Sequence, residues 1–392
     1  MHHQQFDFDT PVCRRGTGSY KWDTPADSQT IPLWVADMDF KAAPPIIEAL
    51  RRRVDHGVFG YTLVGDDYYK AVCDWFANRH GFTIDPSWII YTSGVVPAIS
   101  AIIKAVTKPG EKVIVQTPAY NCFFSSIRND ECRLASNPLL LQSDNSYTID
   151  FDGLEKLAAD PEATVLLLCN PHNPSGRCWT REELIRVGDI ALRHGLFVIS
   201  DEIHCELVYG EHIYTPFASL SPELARISAT CISPSKAFNI AGLQIANIVT
   251  PNPEIRALID KAINVNEVCD VNPFGVVATI AAYNESLPWL EALLDYLQGN
   301  YQFLSRKLSD SGTACRLTPL EATYLAWLDI RSTGLTSVEF TERFLREQNV
   351  MLNPGTLYGA EGEGFVRINL ATTRTLLTDV TGRLLTFIGE LG

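Results

Sequence analysis

The chain has 392 residues, enough for two modest domains, with 46% hydrophobic and 20% charged residues, an ordinary globular balance. Its formal net charge is −14, from 32 basic and 46 acidic residues, which argues against a nucleic-acid binder, a class that carries a basic surplus. No stretch reaches the roughly 18 apolar residues of a membrane span, and the opening MHHQQFDFDTPVCRRG has no apolar signal core, so the expectation is a cytoplasmic protein without a membrane partner.

The first 45 residues are rich in Pro, Asp and Gly and read as irregular; His2 and His3 there look incidental rather than a metal patch. A helix is predicted over Pro45 to His56, with Pro in its first turn and a Gly57 stop. GVFGY follows as a turn, then a second helix from Tyr68 to Arg79. From there apolar strand-like runs alternate with helices. WIIYTS precedes GVVPAISAIIKAV, and KVIVQTP precedes a helical stretch around Asn121–Arg128. TVLLLCNP precedes TREELIRVGDIALRHG, and LFVISDE and RISATCISPS come next. Continuous apolar strands separated by helices imply an α/β fold with a mostly parallel sheet covered on both faces. After about residue 285 the pattern becomes α+β. LPWLEALLDYLQGNYQFLSRKL is a long amphipathic helix, ATYLAWLDI a strand, SVEFTERFLREQN a helix and GFVRINLA a strand, and the chain closes on a helix. The expected organisation is a large domain over 46–285 and a smaller α+β domain made from 286–392 and the arm 1–45.

Ten cysteines are scattered without a CxxC pair, and several, such as Cys169 and Cys231, sit in apolar runs. That fits free buried thiols in a reducing compartment, and no metal site is expected.

Polar residues collect just past the strands, where parallel sheets place their functional groups. In SPSKAFNIAGLQ, Lys236 follows a buried strand beside Ser233 and Ser235. It reads either as a lysine that condenses with an aldehyde next to hydroxyls for an oxyanion, or as an ordinary loop lysine. In TSGVVPAIS a strand ends at Ser93-Gly94 and a helix starts, a natural phosphate site, though many strand–helix junctions look alike. Asp201 and Glu202 end an apolar strand, where a carboxylate needs a partner. A protonated pyridine nitrogen is one candidate, and capping of the next helix is the plainer account. His204 reaches a cofactor or supports the loop. Asn173 lies in a turn forced by two Asn-Pro pairs and is able to aim its amide at a ring oxygen. Tyr120 is a stacking candidate or a rim aromatic. Arg367, inside a late strand, suits a planar carboxylate or else an internal salt bridge.

NPHNPSG, SDEIH and SPSKAFNIAGL, in that order, resemble the fold-type I pyridoxal-phosphate (PLP) enzymes of the class I/II aminotransferase superfamily. WVADMDF, HGVFGY, TPAYNCFF, TYLAWLD and GFVRINLA narrow the resemblance to the MalY/PatB group of cystathionine β-lyases (cysteine-S-conjugate β-lyases), from about Phe6 to the C-terminus. The resemblance implies a PLP transferase-like fold and Lys236 as the Schiff-base lysine. It also implies Asp201 at the pyridine nitrogen, Asn173 at the ring hydroxyl and Tyr120 on the ring. Val95 and Val96 would turn their N–H groups to the phosphate, with Ser233 and Ser235 adding hydroxyls. Arg367 would hold the carboxylate of a small amino-acid substrate, and Tyr61 would reach the cofactor of a second subunit in a homodimer. Lys236, Tyr120 and Asp201 are then the catalytic set, and His204 belongs to the cofactor surroundings. Two positions depart from the aminotransferase pattern: Gln244 stands where a phosphate-facing arginine is common, and His204 where a tyrosine is common. The expected activity is β-elimination from a cysteine thioether to thiol, pyruvate and ammonia. The alternatives are amino transfer on small or aromatic amino acids, and a lyase with a secondary role binding a transcription regulator. The pocket wall is expected from the N-terminal arm and the segment around Asn264–Phe274.

Overall fold

In the computed structural model, residues 6–265 and 270–391 are described; His2, His3, Cys269 and the middle of the Asn264–Phe274 segment lie outside them. Seven strands form the main sheet: β1 (Ile89–Thr92), β2 (Lys112–Thr117), β3 (Arg133–Pro138), β4 (Ala163–Cys169), β5 (Phe197–Asp201), β6 (Ser228–Ile232) and β7 (Ala246–Val249). Their spatial order is β1-β7-β6-β5-β4-β2-β3, and β7 alone runs antiparallel to its neighbours. The sheet is thus mostly parallel and helix-covered, as the apolar runs imply.

Alternation along the strands explains why both faces need cover. Val113, Val115, Val165, Leu167 and Ile199 pack with Ile99, Ile102 and Phe123 on one side. Ile114, Leu166, Leu168 and Val198 pack with Leu184, Val187 and Trp179 on the other. Burying each such side chain contributes about 1.5–3 kcal/mol.

The helices begin and end where local chemistry dictates. Pro44–His56 starts on two prolines and stops at Gly57 (φ 75°), whose N–H caps Val54. Arg181–His194 opens with a reciprocal Thr180–Glu183 capping box and closes at Gly195 (φ 69°). Helices Pro253–Asn264 and Pro273–Glu285 were not anticipated; each is announced by an Asn N-cap followed by Pro, at Asn252-Pro253 and Asn272-Pro273.

A second sheet holds β8 (Arg316–Leu317), β9 (Leu325–Asp329), β10 (Asn353–Pro354) and β11 (Phe365–Asn369), in the order β8-β9-β11-β10 and all antiparallel. Its core takes Ile31 and Leu33 from the N-terminal arm, and Ile31–Pro32 pairs in parallel with Val350–Met351. Helix Leu287–Asp310 serves both cores, with Leu290, Leu293 and Leu297 in one and Leu304 and Leu308 in the other. Among the described residues no helix is long and apolar enough to cross a membrane.

Candidate active site

The register of the main sheet sets one edge of the site. Cys169 on β4 pairs with Asp201 on β5, which pairs with Cys231 on β6, so the three strands end level. The loops that follow carry Asn173, His204 and Lys236 from that level edge.

Asp201 and Glu202 are adjacent, both buried, and unlike. Glu202 accepts from the Ser200 hydroxyl (2.7 Å), the Phe217 N–H (2.9 Å), the Asn170 amide (3.4 Å) and the Tyr214 hydroxyl. It is a structural carboxylate with its lone pairs spoken for. Asp201 accepts the Ile203 N–H at 3.1 Å, and burial pushes its carboxyl up to about 7, with that N–H and Lys236 pulling the other way. A carboxyl balanced near neutrality becomes an anion once a cation is set beside it.

Lys236 donates to the carbonyl of Ala36 at 2.7 Å. Burial and then the Arg367 charge push its amine down to about 8, while Asp37 and Asp201 oppose. Arg367, 4% exposed, lies mid-strand in β11 and crosses to the large sheet: Nη1 donates to Asn173 Oδ1 (3.2 Å) and Nη2 to the Trp34 carbonyl (2.9 Å), with the guanidinium over the Tyr358 ring at 4.8 Å. Among the described residues it has no carboxylate partner, so the internal salt bridge considered from sequence is absent there and the buried cation is met only by neutral oxygens. His204 is buried, its ring held neutral at about 3 by burial and by the Lys236 and Arg367 charges, and its Nδ1 has no partner. Tyr120 precedes helix Asn121–Asn129, and burial raises its hydroxyl.

Val95 and Val96 open helix Val95–Val106, whose N-cap Gly94 supplies no side-chain cap, so the first N–H groups stay available to an anion. A cavity of about 250 Å³ beside them is lined by Thr92, Ser93, Gln244, Ile245, Asp270 and Asn272; neither Lys236 nor Arg367 lines it. Ser233 turns inward, donating to the Ile245 carbonyl (2.6 Å) and accepting the Ser235 N–H (3.1 Å), so its hydroxyl is consumed in the turn that presents Lys236. Tyr61 is 96% exposed and joins none of these bonds.

The structure therefore assembles Lys236, Asp201, Asn173, His204, Tyr120 and Arg367, and leaves Tyr61 outside the cluster of its own chain. Sequence reasoning missed the parts that are backbone or that act through backbone. The carbonyls of Trp34 and Ala36 take Arg367 and Lys236, and Tyr324 donates to the same Ala36 oxygen at 2.9 Å. Gly176 (φ 75°) ties the Asn-Pro turn to the segment before β9: its carbonyl accepts from the Glu321 and Ala322 N–H groups, and a Cβ would lie 2.8 Å from Leu320 Cδ1. One His/Cys/Glu group outside the site, His80, Cys205 and Glu206, lies within metal-sharing distance, but Glu206 already receives Arg79 and Trp75 at 2.6 Å each.

The donors fit PLP: an uncapped helix start for a phosphate, a buried carboxyl awaiting a cation, and an amine near neutrality. Residues 29–384 match the family described as Aminotransferase class I and II. Cystathionine beta-lyase PatB of Bacillus subtilis (strain 168) is 43% identical over 381 residues, 96% of this chain and 98% of PatB. Cystalysin from Treponema denticola, whose crystal structure contains pyridoxal 5'-phosphate, superposes with a TM-score of 0.96 at 36% identity, over 99% of this chain and 100% of its own. The PLP-bound C-S lyase from Staphylococcus hominis gives 0.92 at 31%, over 98% and 99%.

Proposed function

The chain belongs to the class I and II aminotransferase family, and from its likeness to a cystathionine beta-lyase and a C-S lyase we propose that it is a PLP-dependent carbon–sulfur β-lyase, cleaving cystathionine or another cysteine S-conjugate to a thiol, pyruvate and ammonia. The observation that carries the amino-acid substrate is Arg367, a buried planar cation without a carboxylate of its own. Its fork takes the substrate α-carboxylate and leaves Cα beside Lys236.

Lys236 has two tasks. Lys236 would hold the cofactor through its Nζ, and the same Nζ, when free, would take the Cα proton of the substrate, a role suited to an amine near neutrality. When bound, PLP supplies the electron sink for the pair left on Cα. Asp201 would hold a proton at the pyridine nitrogen, with Asn173 toward the ring hydroxyl and Tyr120 toward the ring. Val95 and Val96 N–H groups and the Ser235 hydroxyl would hold the phosphate, and Ser233 would support them through the turn it closes. His204, kept neutral, supports the ring surroundings without adding charge. The Cβ–S bond then breaks with the electrons leaving on sulfur, and water completes the hydrolysis to pyruvate and ammonia.

The exposed run Val58, Phe59, Tyr61 and Leu63, 57–96% exposed, supports a homodimer in which Tyr61 reaches the second chain's phosphate. The free thiols support a reducing, cytoplasmic setting. The test is cystathionine supplied without any keto acid: thiol and pyruvate are expected together. Turnover that requires a keto acid and yields no thiol would make the protein an aminotransferase instead.

A further inference from the structure

Residues 31–40 of the arm bond on one side to Met351 and Asn369 and on the other to Asn239, in the turn after Lys236. The Leu33 N–H donates to Met351 O, and Asn369 Nδ2 donates to the carbonyls of Val35 and Asp37 on the small-domain side. Asn239 bonds Met38 and Phe40 on the large-domain side. Between these fixings the arm turns two carbonyls to the groups that meet substrate: Ala36 to Lys236 and Trp34 to Arg367.

Directly after them comes a compact set of four charges. Arg14 forks onto Asp37 (2.6 and 3.0 Å) and also donates to Asp39 (2.9 Å) and to the Met38 carbonyl (3.1 Å). Lys21, fully buried, pairs with Asp39 at 3.0 Å and Asp37 at 3.6 Å, and Trp22 Nε1 donates to Asp39 at 2.7 Å. Two cations and two anions balance, and Asp39 is held below its usual carboxylate range by Lys21, Trp22 and Arg14 against the burial that opposes them. None of the four bonds to Lys236 or Arg367. Lys21 and Asp39 are buried while Arg14 and Asp37 keep part of their surface, and a buried charge pair is an expensive way to anchor a loop that apolar residues hold more cheaply. What they do provide is a fixed geometry for residues 37–39, and through them for the carbonyls at 34 and 36.

We propose that the Arg14–Lys21–Asp37–Asp39 cluster is a positioning device for substrate recognition: it sets where the Trp34 and Ala36 carbonyls stand, and so how Arg367 and Lys236 present themselves to the α-carboxylate and Cα of an amino acid. The substrate carboxylate then meets a guanidinium already oriented by Trp34 and Asn173. This rests on the reading of Arg367 as the carboxylate anchor, and it deepens that reading by naming what aims it.

The test uses the holoenzyme with Lys21→Met and, separately, Asp37→Asn. Cystathionine kinetics give KM and kcat. Glycine, which has the amino-acid end and no leaving group, is titrated against the visible absorbance of the bound cofactor, and thermal midpoints are recorded. Both KM and the glycine dissociation constant should rise about tenfold, with kcat changing by less than about threefold and the cofactor retained. A lower thermal midpoint with unchanged KM and unchanged glycine affinity would show that the cluster only holds the fold, and would overturn the proposal. Should Lys21→Met not fold, Asp37→Asn decides alone, since Asp37 is partly exposed and the change is isosteric. If the wild-type protein releases no thiol from cystathionine, the lyase reading fails while the glycine comparison still judges the cluster.

Discussion

The large and small sheets supply unlike things to one pocket. The large sheet offers groups at the ends of buried parallel strands, where Asp201 and Lys236 have values displaced towards neutrality and are able to gain or lose a proton. The small sheet offers Arg367 from the middle of a strand, permanently charged and already forked onto two oxygens. On the proposed reading, groups that exchange protons sit where burial tunes them, and a group that only binds sits where a rigid strand aims it. The division predicts that damage to the first set removes turnover and damage to the second removes affinity.

The largest expected effect is that of Lys236→Ala, which on the proposed reading takes away tether and base together: turnover should fall by about 10³-fold or more, with loss of the cofactor's visible absorbance. A variant that keeps substantial thiol release would break the comparison at its strongest point. Arg367→Ala should raise KM for cystathionine by about 100-fold, in line with about 3 kcal/mol for a buried charge-assisted contact, while kcat changes far less. An equal fall in kcat with KM unmoved would place Arg367 among the proton-handling groups. Glu202→Gln sharpens the contrast within the large sheet. It should lower stability by about 2 kcal/mol, because buried donors lose their acceptor, and leave kcat within about twofold. Urea unfolding and steady-state kinetics read the two effects separately.

The smallest effect concerns pH and links the two sheets. In cofactor-free protein the Lys236 amine, depressed to about 8, is half deprotonated there, so the rate of PLP uptake should rise with pH and reach half its plateau near 8. Burial and the Arg367 charge both disfavour the ammonium. Arg367→Ala should therefore shift that half-point upward, and a downward or absent shift would show that the two groups do not interact. The stability sign follows the same logic: a depressed amine favours the folded state fully above its unfolded value of 10.5, and that contribution is lost as pH falls through about 8.

Much of this was legible in the sequence because apolar strands and their polar endings are written in residue types. Val165–Leu168 and Val198–Ser200 announce buried strands, and Asp201, Asn173 and Lys236 stand out against them. Other features leave no such mark. Ala246–Val249 runs antiparallel, and nothing in the four residues Ala-Asn-Ile-Val encodes direction. Asp201 and Glu202 are equivalent as letters; only the bonds to Ser200, Phe217 and Tyr214 set Glu202 apart as structural. The oxygen that holds Lys236 and one of the two that hold Arg367 belong to the backbone of Ala36 and Trp34, where side-chain identity is silent. The bond from the Ser233 hydroxyl to the Ile245 carbonyl, at 2.6 Å, is likewise invisible in the letters.

The bare loop at 57–65 bears on how catalytic capacity would be inherited by mixtures of chains. On the proposed two-chain arrangement, each pocket borrows Tyr61 from its neighbour, so defects in Tyr61 and in Lys236 reside in different pockets of a hybrid. Co-refolding two inactive variants, Lys236→Ala and Tyr61→Ala, would rebuild one intact pocket per hybrid, and random pairing would return about a quarter of wild-type activity. Dilution below the association range would abolish it again, making the protein's output depend on its own abundance.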